Sequence, residues 1–413
     1  MNTIPSFPAC FSALTGHRPL RWQTRLFERL RHGDIPRACD LPTGLGKTSI
    51  IPIWLIALAD QGRTSAVPRR LVYIVNRRTV VDQATEVVER MRERLRNPGD
   101  DRWGTHEKTL TALRHTLQAL SASGDKHDVL AVSTLRGELA DNQKWKEDPA
   151  RPAIVVGTID MIGSKLLFSG YGDGPYHRAH HAGLVGQDVL IVHDEAHLTP
   201  AFSDVLRGVV HAQQHAHALR PVQVVELSAT QRDGGDDRDV LGLQAEDEKD
   251  ALVRDRLGAT KCLRLHEVDE SDVITKLVEL ATRHDRTKSK VLIYVRTPEH
   301  AQKVANALKK DLRGAADEYL ALLTGTIRGH ERDQLVKQNL VYRALLDHES
   351  NVGRTVYLVS TSAGEVGIDL DADHMVCDAA TLDAMIQRLG RVNRRGGKRR
   401  TAFVDVVAQR DKQ

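Results

Sequence analysis

The sequence predicts an α/β protein of two lobes, each a doubly wound parallel sheet. Three observations carry that expectation: short β-branched apolar runs recur along the chain, helix-periodic segments separate them, and a polar, glycine-containing stretch at 231–250 (QRDGGDDRDVLGLQAEDEKD) divides them into two series. The first series is 71–75 (LVYIV), 129–133 (VLAVS), 154–157 (IVVG), 189–193 (VLIVH) and 222–227 (VQVVEL). These runs are too short for helices and nearly continuous in apolar residues, as strands buried on both faces are. The second series is 291–295 (VLIYV), 320–323 (LALL), 355–360 (TVYLVS), 374–377 (HMVC) and 402–407 (AFVDVV).

The stretch 231–250 is expected to be an exposed excursion closing the first lobe, which gives domains 1–270 and 271–413. A second polar insertion, 97–128, holds a possible helix at 110–120, and the mixed charges of 86–96 read as the solvated face of a helix. No repeat of fixed period is present.

Composition narrows the function classes. With 413 residues, 41% of them hydrophobic, the chain can build real cores. Lys+Arg number 59 against 55 Asp+Glu, a net charge of +4, so a uniformly basic coat for nucleic acid is excluded. Polyanion binding must come from local clusters such as 388–400 (RLGRVNRRGGKRR). Six Phe, seven Tyr and four Trp argue against a surface built mainly on base stacking. Cys10, Cys39, Cys262 and Cys377 form no C-x-x-C pair, which fits a reducing cytoplasm. The N-terminus lacks the pattern of a signal peptide, and the apolar run 50–59 is too short to span a bilayer, so no membrane association is expected.

Chemistry concentrates first at 41–48, LPTGLGKT. Gly44 and Gly46 permit a tight turn whose N–H groups face a phosphate, and the following helix adds its positive dipole end. Thr43, Gly44, Leu45, Gly46, Lys47, Thr48 and Ser49 form the expected phosphate cradle, with Lys47 reaching the β and γ phosphates and the Thr48 hydroxyl available to Mg²⁺. The strict motif would place Gly at 41, where this chain has Leu41. The second element, 189–197 (VLIVHDEAH), delivers Asp194 and Glu195 at the end of a buried strand, where ligands sit in open α/β sheets. Asp194 would hold Mg²⁺, partly through water, and Glu195 would polarise the attacking water, with His197 linking onward.

The ordered set LPTGLGKT, VNRRTVVDQ (75–83), VGTIDMIG (156–163), DEAH (194–197), SAT (228–230), STSAGEVGID (360–369) and QRLGRVNR (387–394) resembles superfamily 2 DExH-type helicases over nearly the whole chain. Within that superfamily, GTIDMIGSKLLFSGYG, HDEAHLTPAF and QRLGRVNRRG look most like the helicase-nuclease of CRISPR type I interference, and the first two resemble its type I-G (I-U) branch. The resemblance implies two tandem RecA-like domains with an inter-domain ATP cleft. It places Gln23 where adenine is read, and Ser228 and Thr230 where nucleotide state is linked to strand grip. Gly367 and Asp369 would join the nucleotide site, Gln387 the catalytic set with Lys47, Asp194 and Glu195, and Arg391 and Arg394 would act as arginine fingers.

For the nucleic-acid path the expected contacts are Asn76, Arg77, Arg78, Arg136 and Thr158 in the first lobe, with Thr324, Arg328 and Thr361 in the second. His211 and His215 stand at i, i+4, but position 212 is alanine where H-E-x-x-H would need Glu, so solvated helix histidines are expected rather than a zinc pair. The family's HD nuclease domain has no counterpart in the sequence, and is expected in cis beyond residue 413 or in trans. The resemblance thus implies a cytoplasmic, ATP- and Mg²⁺-dependent translocase on single-stranded DNA, moving 3′ to 5′ and recruited by a guide-RNA surveillance complex. An RNA helicase and a nucleotide-dependent clamp are the alternatives.

Overall fold

The computed structural model describes residues 4–76, 78–122, 128–135, 143–228, 239–312, 316–325, 339–346, 352–365, 369–396 and 400–410. The chain divides into two compact units, residues 1–250 and 251–413.

The first unit holds seven parallel strands: β1 (Ala38–Asp40), β2 (Arg70–Val75), β3 (Ala131–Leu135), β4 (Ala153–Thr158), β5 (Val189–Asp194), β6 (Gln223–Ser228) and β7 (Val240–Gly242), in the order β3-β4-β2-β5-β6-β1-β7. Every residue of β2 and β4 is buried, as the unbroken apolar runs required. The helix Ile50–Gln61 after β1 is buried from Ile50 to Ala59, wrapped by the helices Phe7–Thr15, Arg21–Arg31 and Glu107–Gln118. Pro52 fits it because the first-turn N–H groups of a helix have no intrahelical partner. The helix Arg78–Arg96 buries Val81, Ala84, Val88, Met91 and Leu95, a 3-4-3-4 spacing that makes one apolar stripe. Its other face carries the Glu86–Arg90 and Glu89–Arg92 ion pairs, the solvated side the sequence implied.

The second unit holds β8 (Thr260–Val268), β9 (Lys290–Tyr294), β10 (Leu320–Leu323), β11 (Val356–Ser360), β12 (His374–Asp378) and β13 (Thr401–Gln409), parallel in the order β10-β11-β9-β12-β13-β8. Alternate residues feed two cores. Val291, Ile293, Tyr357, Val359 and Val376 pack on one face, Leu292, Tyr294, Leu358, Met375 and Cys377 on the other.

Every predicted run is a strand, and three further strands lie outside the prediction. β1 and β7 have three residues each, too few to show a period. β7 lies inside 231–250, so the end of that stretch is sheet rather than excursion, paired to β1 through Ala38↔Val240. β8 pairs with β13 from Thr401↔Thr260 to Gln409↔Val268, which ties 260–268 to the second unit and puts the division at Asp250/Ala251 rather than at residue 270. Among the described residues no helix is long and apolar enough to cross a membrane.

Candidate active site

Strand order positions the site. β1 lies between β6 and β7, and β5 is the other neighbour of β6, so the parallel carboxyl ends of β1, β5 and β6 share one edge of the first sheet. The Leu41 N–H donates to the Ser228 carbonyl (3.1 Å), fixing where the loop after β1 departs. Gly44 and Gly46 have φ of +87° and +76°, the left-handed turns the motif required. Leu41 replaces the motif's first glycine because its side chain is fully buried in the core. A short turn, Lys47–Ser49, then leads into the helix Ile50–Gln61.

Five polar side chains meet at this edge. Lys47 Nζ lies 3.5 Å from Glu195 Oε1. Glu195, at φ 51° and ψ 45°, is a non-glycine residue held in the left-handed region, and its N–H donates to Asp194 Oδ1 (3.0 Å). His197 Nδ1 lies 3.5 Å from Glu195 Oε2 and 3.3 Å from Ser228 Oγ, linking the DEAH segment to the end of β6. Burial, with the neighbouring Glu195 charge, pushes the Asp194 carboxyl up to about 6, against the opposing pull of Lys47. His193 is fully buried between Thr199 Oγ1 (2.9 Å) and Ser203 Oγ (3.2 Å), so the apparent His-Asp pair of this strand is structural on its histidine side.

Tyr73 went unrecognised in the sequence. It lies within β2, is fully buried, and donates its hydroxyl to Asp194 Oδ2 at 2.7 Å. The available signal was one hydroxyl-bearing residue inside the otherwise apolar run LVYIV.

Gln23 is buried at the start of the helix Arg21–Arg31. Its Oε1 accepts the Leu20 N–H (2.7 Å) and its Nε2 donates to Ser49 Oγ (2.8 Å), so it joins this helix to the phosphate-type loop. The donors fit a Mg²⁺-bound triphosphate: a hydroxyl and carboxylates are the hard oxygen ligands that ion takes, and the turn at Gly44 to Lys47 precedes a helix start.

In the second unit Gln387 and Arg388 are buried. Arg388 donates to Glu365 Oε1 (2.8 Å) and to the Asp378 carbonyl and Oδ1 (2.9 and 3.1 Å), with its guanidinium over the Tyr294 ring. Arg391 donates through Nε to the Glu365 carbonyl (3.0 Å), and Arg394 pairs with Asp369 (3.1 Å). Thr158 ends β4, Thr324 and Thr361 follow β10 and β11, and all three are buried, with the Thr361 hydroxyl accepting from the Ala363 N–H. Asn76, just past β2, is half-buried. Arg77, Arg136, Thr230, Arg328 and Gly367 lie outside the described residues, as does the side chain of Arg78. His211 and His215 are exposed on the helix Pro200–His215.

Comparisons with known proteins converge on one family. The family described as the res subunit of type III restriction enzymes matches residues 19–233, and that of the C-terminal part of the CRISPR-associated nuclease/helicase Cas3 matches 287–397. A putative CRISPR-associated nuclease/helicase Cas3 of Myxococcus xanthus (strain DK1622) is 46% identical over 52 residues, 13% of this chain and 7% of the relative. Among solved structures, T. fusca Cas3 with AMPPNP aligns with a TM-score of 0.60 at 20% identity, covering 100% of this chain and 48% of that one. The Mycobacterium smegmatis helicase Lhr bound to ssDNA and AMP-PNP aligns with a TM-score of 0.57 at 16% identity, covering 97% and 47%. At these identities the likeness establishes the fold, two tandem RecA-like domains, and the chain spans about half the length of both structures. With residues 19–233, just over half of its length, matched, the chain belongs to the family of the type III restriction enzyme res subunit within the superfamily 2 helicases, and its second unit is similar to the C-terminal part of Cas3.

Proposed function

We propose that the chain is an ATP- and Mg²⁺-dependent motor that translocates along single-stranded DNA, 3′ to 5′, in CRISPR type I interference. The observation that carries this reading is the meeting of Lys47, Asp194, Glu195, His197 and Ser228 at the carboxyl edge of the first sheet. Lys47 and the loop N–H groups bind the β and γ phosphates, and Gln23 and Ser49 border the base. Thr48 and Asp194 hold Mg²⁺, which supplies charge neutralisation on the phosphates. Glu195 orients water for in-line attack.

In the second unit, Gln387, Arg391 and Arg394, with Gly367 and Asp369, are the residues assigned to the nucleotide. Guanidinium groups meet developing phosphate charge bidentately, a role worth on the order of 10³ to 10⁵ in rate. Asn76, Arg77, Arg78, Arg136, Thr158, Thr324, Arg328 and Thr361 hold the strand by its backbone, without base choice. A guide-RNA surveillance complex recruits the motor, and an HD nuclease, in cis or in trans, cuts what it unwinds. The Cas3-type match of the second unit is what favours CRISPR interference over other superfamily 2 work.

The deciding experiment measures phosphate release with equal lengths of single-stranded DNA and RNA, and strand displacement on 3′- and 5′-tailed duplexes. DNA stimulation and unwinding from the 3′ tail are expected. Preferential RNA stimulation overturns the DNA assignment, and hydrolysis without displacement makes the protein a nucleotide-dependent clamp.

A further inference from the structure

The Tyr73 hydroxyl joins two chain segments that are distant in sequence. Buried phenols place their hydroxyls on partners, and here the partner is the Asp194 carboxylate of the edge described above. Tyr73 Oη donates to Asp194 Oδ2 at 2.7 Å. The side chain is fully buried, so no water competes for this bond.

The proton arrangement follows from the inventory of groups. An ionised carboxylate can only accept, so the phenol proton is committed to Asp194. Asp194 is held at both oxygens, at Oδ2 by Tyr73 and at Oδ1 by the Glu195 N–H.

We propose that Tyr73 is a positioning residue for the metal–nucleotide complex: by holding Asp194 Oδ2, opposite the Glu195 N–H on Oδ1, it fixes the orientation of this carboxylate before Mg²⁺ and nucleotide arrive. This inference rests on the reading of this edge as a Mg²⁺–ATP site. Partners of ligating carboxylates typically contribute about 10- to 100-fold to metal affinity. A phenylalanine at this position would fill the same volume and lose only this hydrogen bond.

The test is Tyr73→Phe in the full chain, read by binding of the fluorescent nucleotide mant-ATP in EDTA and across a Mg²⁺ titration, alongside ATP turnover. Affinity in EDTA should stay within about twofold of wild type, while half-maximal Mg²⁺ for both binding and turnover rises about tenfold. A packing role alone would move the EDTA value as well. Genetic incorporation of 4-aminophenylalanine at position 73, which restores a donor and an acceptor, should return the Mg²⁺ titration to that of wild type, and it serves as the test should Tyr73→Phe not fold. A Tyr73→Phe titration matching wild type, with Lys47→Ala defective in nucleotide binding, overturns the positioning role and leaves the site intact. Unimpaired binding and turnover by Lys47→Ala overturns the reading of the site itself.

Discussion

Lys47 Nζ lies 3.5 Å from Glu195 Oε1, an ion pair that ties the glycine-rich loop to the end of β5 across 148 positions of sequence. Both side chains are mostly buried, at 9% and 16% exposure, so neither is well neutralised by water alone. A triphosphate would compete with Glu195 for the ammonium and release the carboxylate to orient water. Glu195→Gln therefore should bind mant-ATP at least as tightly as wild type, yet lose about 10²- to 10⁴-fold in turnover, the usual contribution of a general base. Lys47→Ala should lose both. Fluorescence titration and phosphate release separate the two effects, and weakened nucleotide binding by Glu195→Gln would contradict the competition.

Gln23 has a structural use independent of any base. Its amide satisfies the Leu20 N–H and the Ser49 hydroxyl, and the residue is 5% exposed. Gln23→Ala strands both groups, so urea unfolding should show a loss of roughly 1–3 kcal/mol. Because the helix Arg21–Arg31 would no longer be fixed to Ser49, preference for ATP over GTP should fall in the same variant. Unchanged stability and unchanged selectivity together would leave Gln23 without a role.

Which parts of this site were legible follows from which kind of signal each residue gives. The turn at Gly44 and Gly46 and the acidic pair after 189–193 were readable because local backbone need and strand burial write themselves into consecutive residues. β1 was hidden, since three residues carry no period, although it places the loop. Tyr73 was hidden for another reason: its partner Asp194 comes beside it only once β2 and β5 pair through Tyr73↔Val192. β8 escaped because an edge strand with much of its length exposed needs no apolar run.

Arg388 and its neighbours Arg391 and Arg394 should separate cleanly into structural and chemical roles. Arg388 is 2% exposed and bonds both Glu365 and Asp378, themselves buried. Removing one partner of a buried ion network leaves an uncompensated charge, so Arg388→Ala should cost roughly 3–5 kcal/mol of stability. Arg391 is buried and donates to the Glu365 carbonyl, whereas Arg394 pairs with a more exposed carboxylate. Arg394→Ala should stay within about 1 kcal/mol of wild type, as exposed pairs do, and Arg391→Ala should lose about 1–3 kcal/mol, the cost of a buried hydrogen bond left unmade. Turnover in those variants should fall by about 10³-fold or more if they act on the γ-phosphate. Chemical denaturation with parallel ATPase assays checks this, and a folded, stable Arg388→Ala would refute the division.

The stability of the second unit should depend on pH through a stacked histidine pair. His284 and His374 rings lie 4.1 Å apart, 18° from parallel, with Phe403 stacked on the far side of His374 and its N–H donated to His374 Nδ1. Burial, reinforced by His284, pushes His374 down to about 4. Burial also lowers His284. The surrounding charges, Asp373, Asp405, Arg400, Arg264 and Arg283, pull in both directions and do not reverse either shift. The native state therefore takes up the His374 proton near pH 4, whereas the unfolded chain does so near the usual 6.5. Between those values the unfolded state binds more protons, so stability rises with pH. His374 contributes fully above about pH 6.5, and ~3 kcal/mol is lost as pH falls through the window to 4. Urea midpoints measured from pH 7 to 4.5 should drop steeply for wild type and less steeply for His374→Phe. The slope is the readout, because the variant also loses the Phe403 N–H acceptor and starts from a lower baseline. Equal slopes in the two proteins would mean that His374 is not held neutral in the native state.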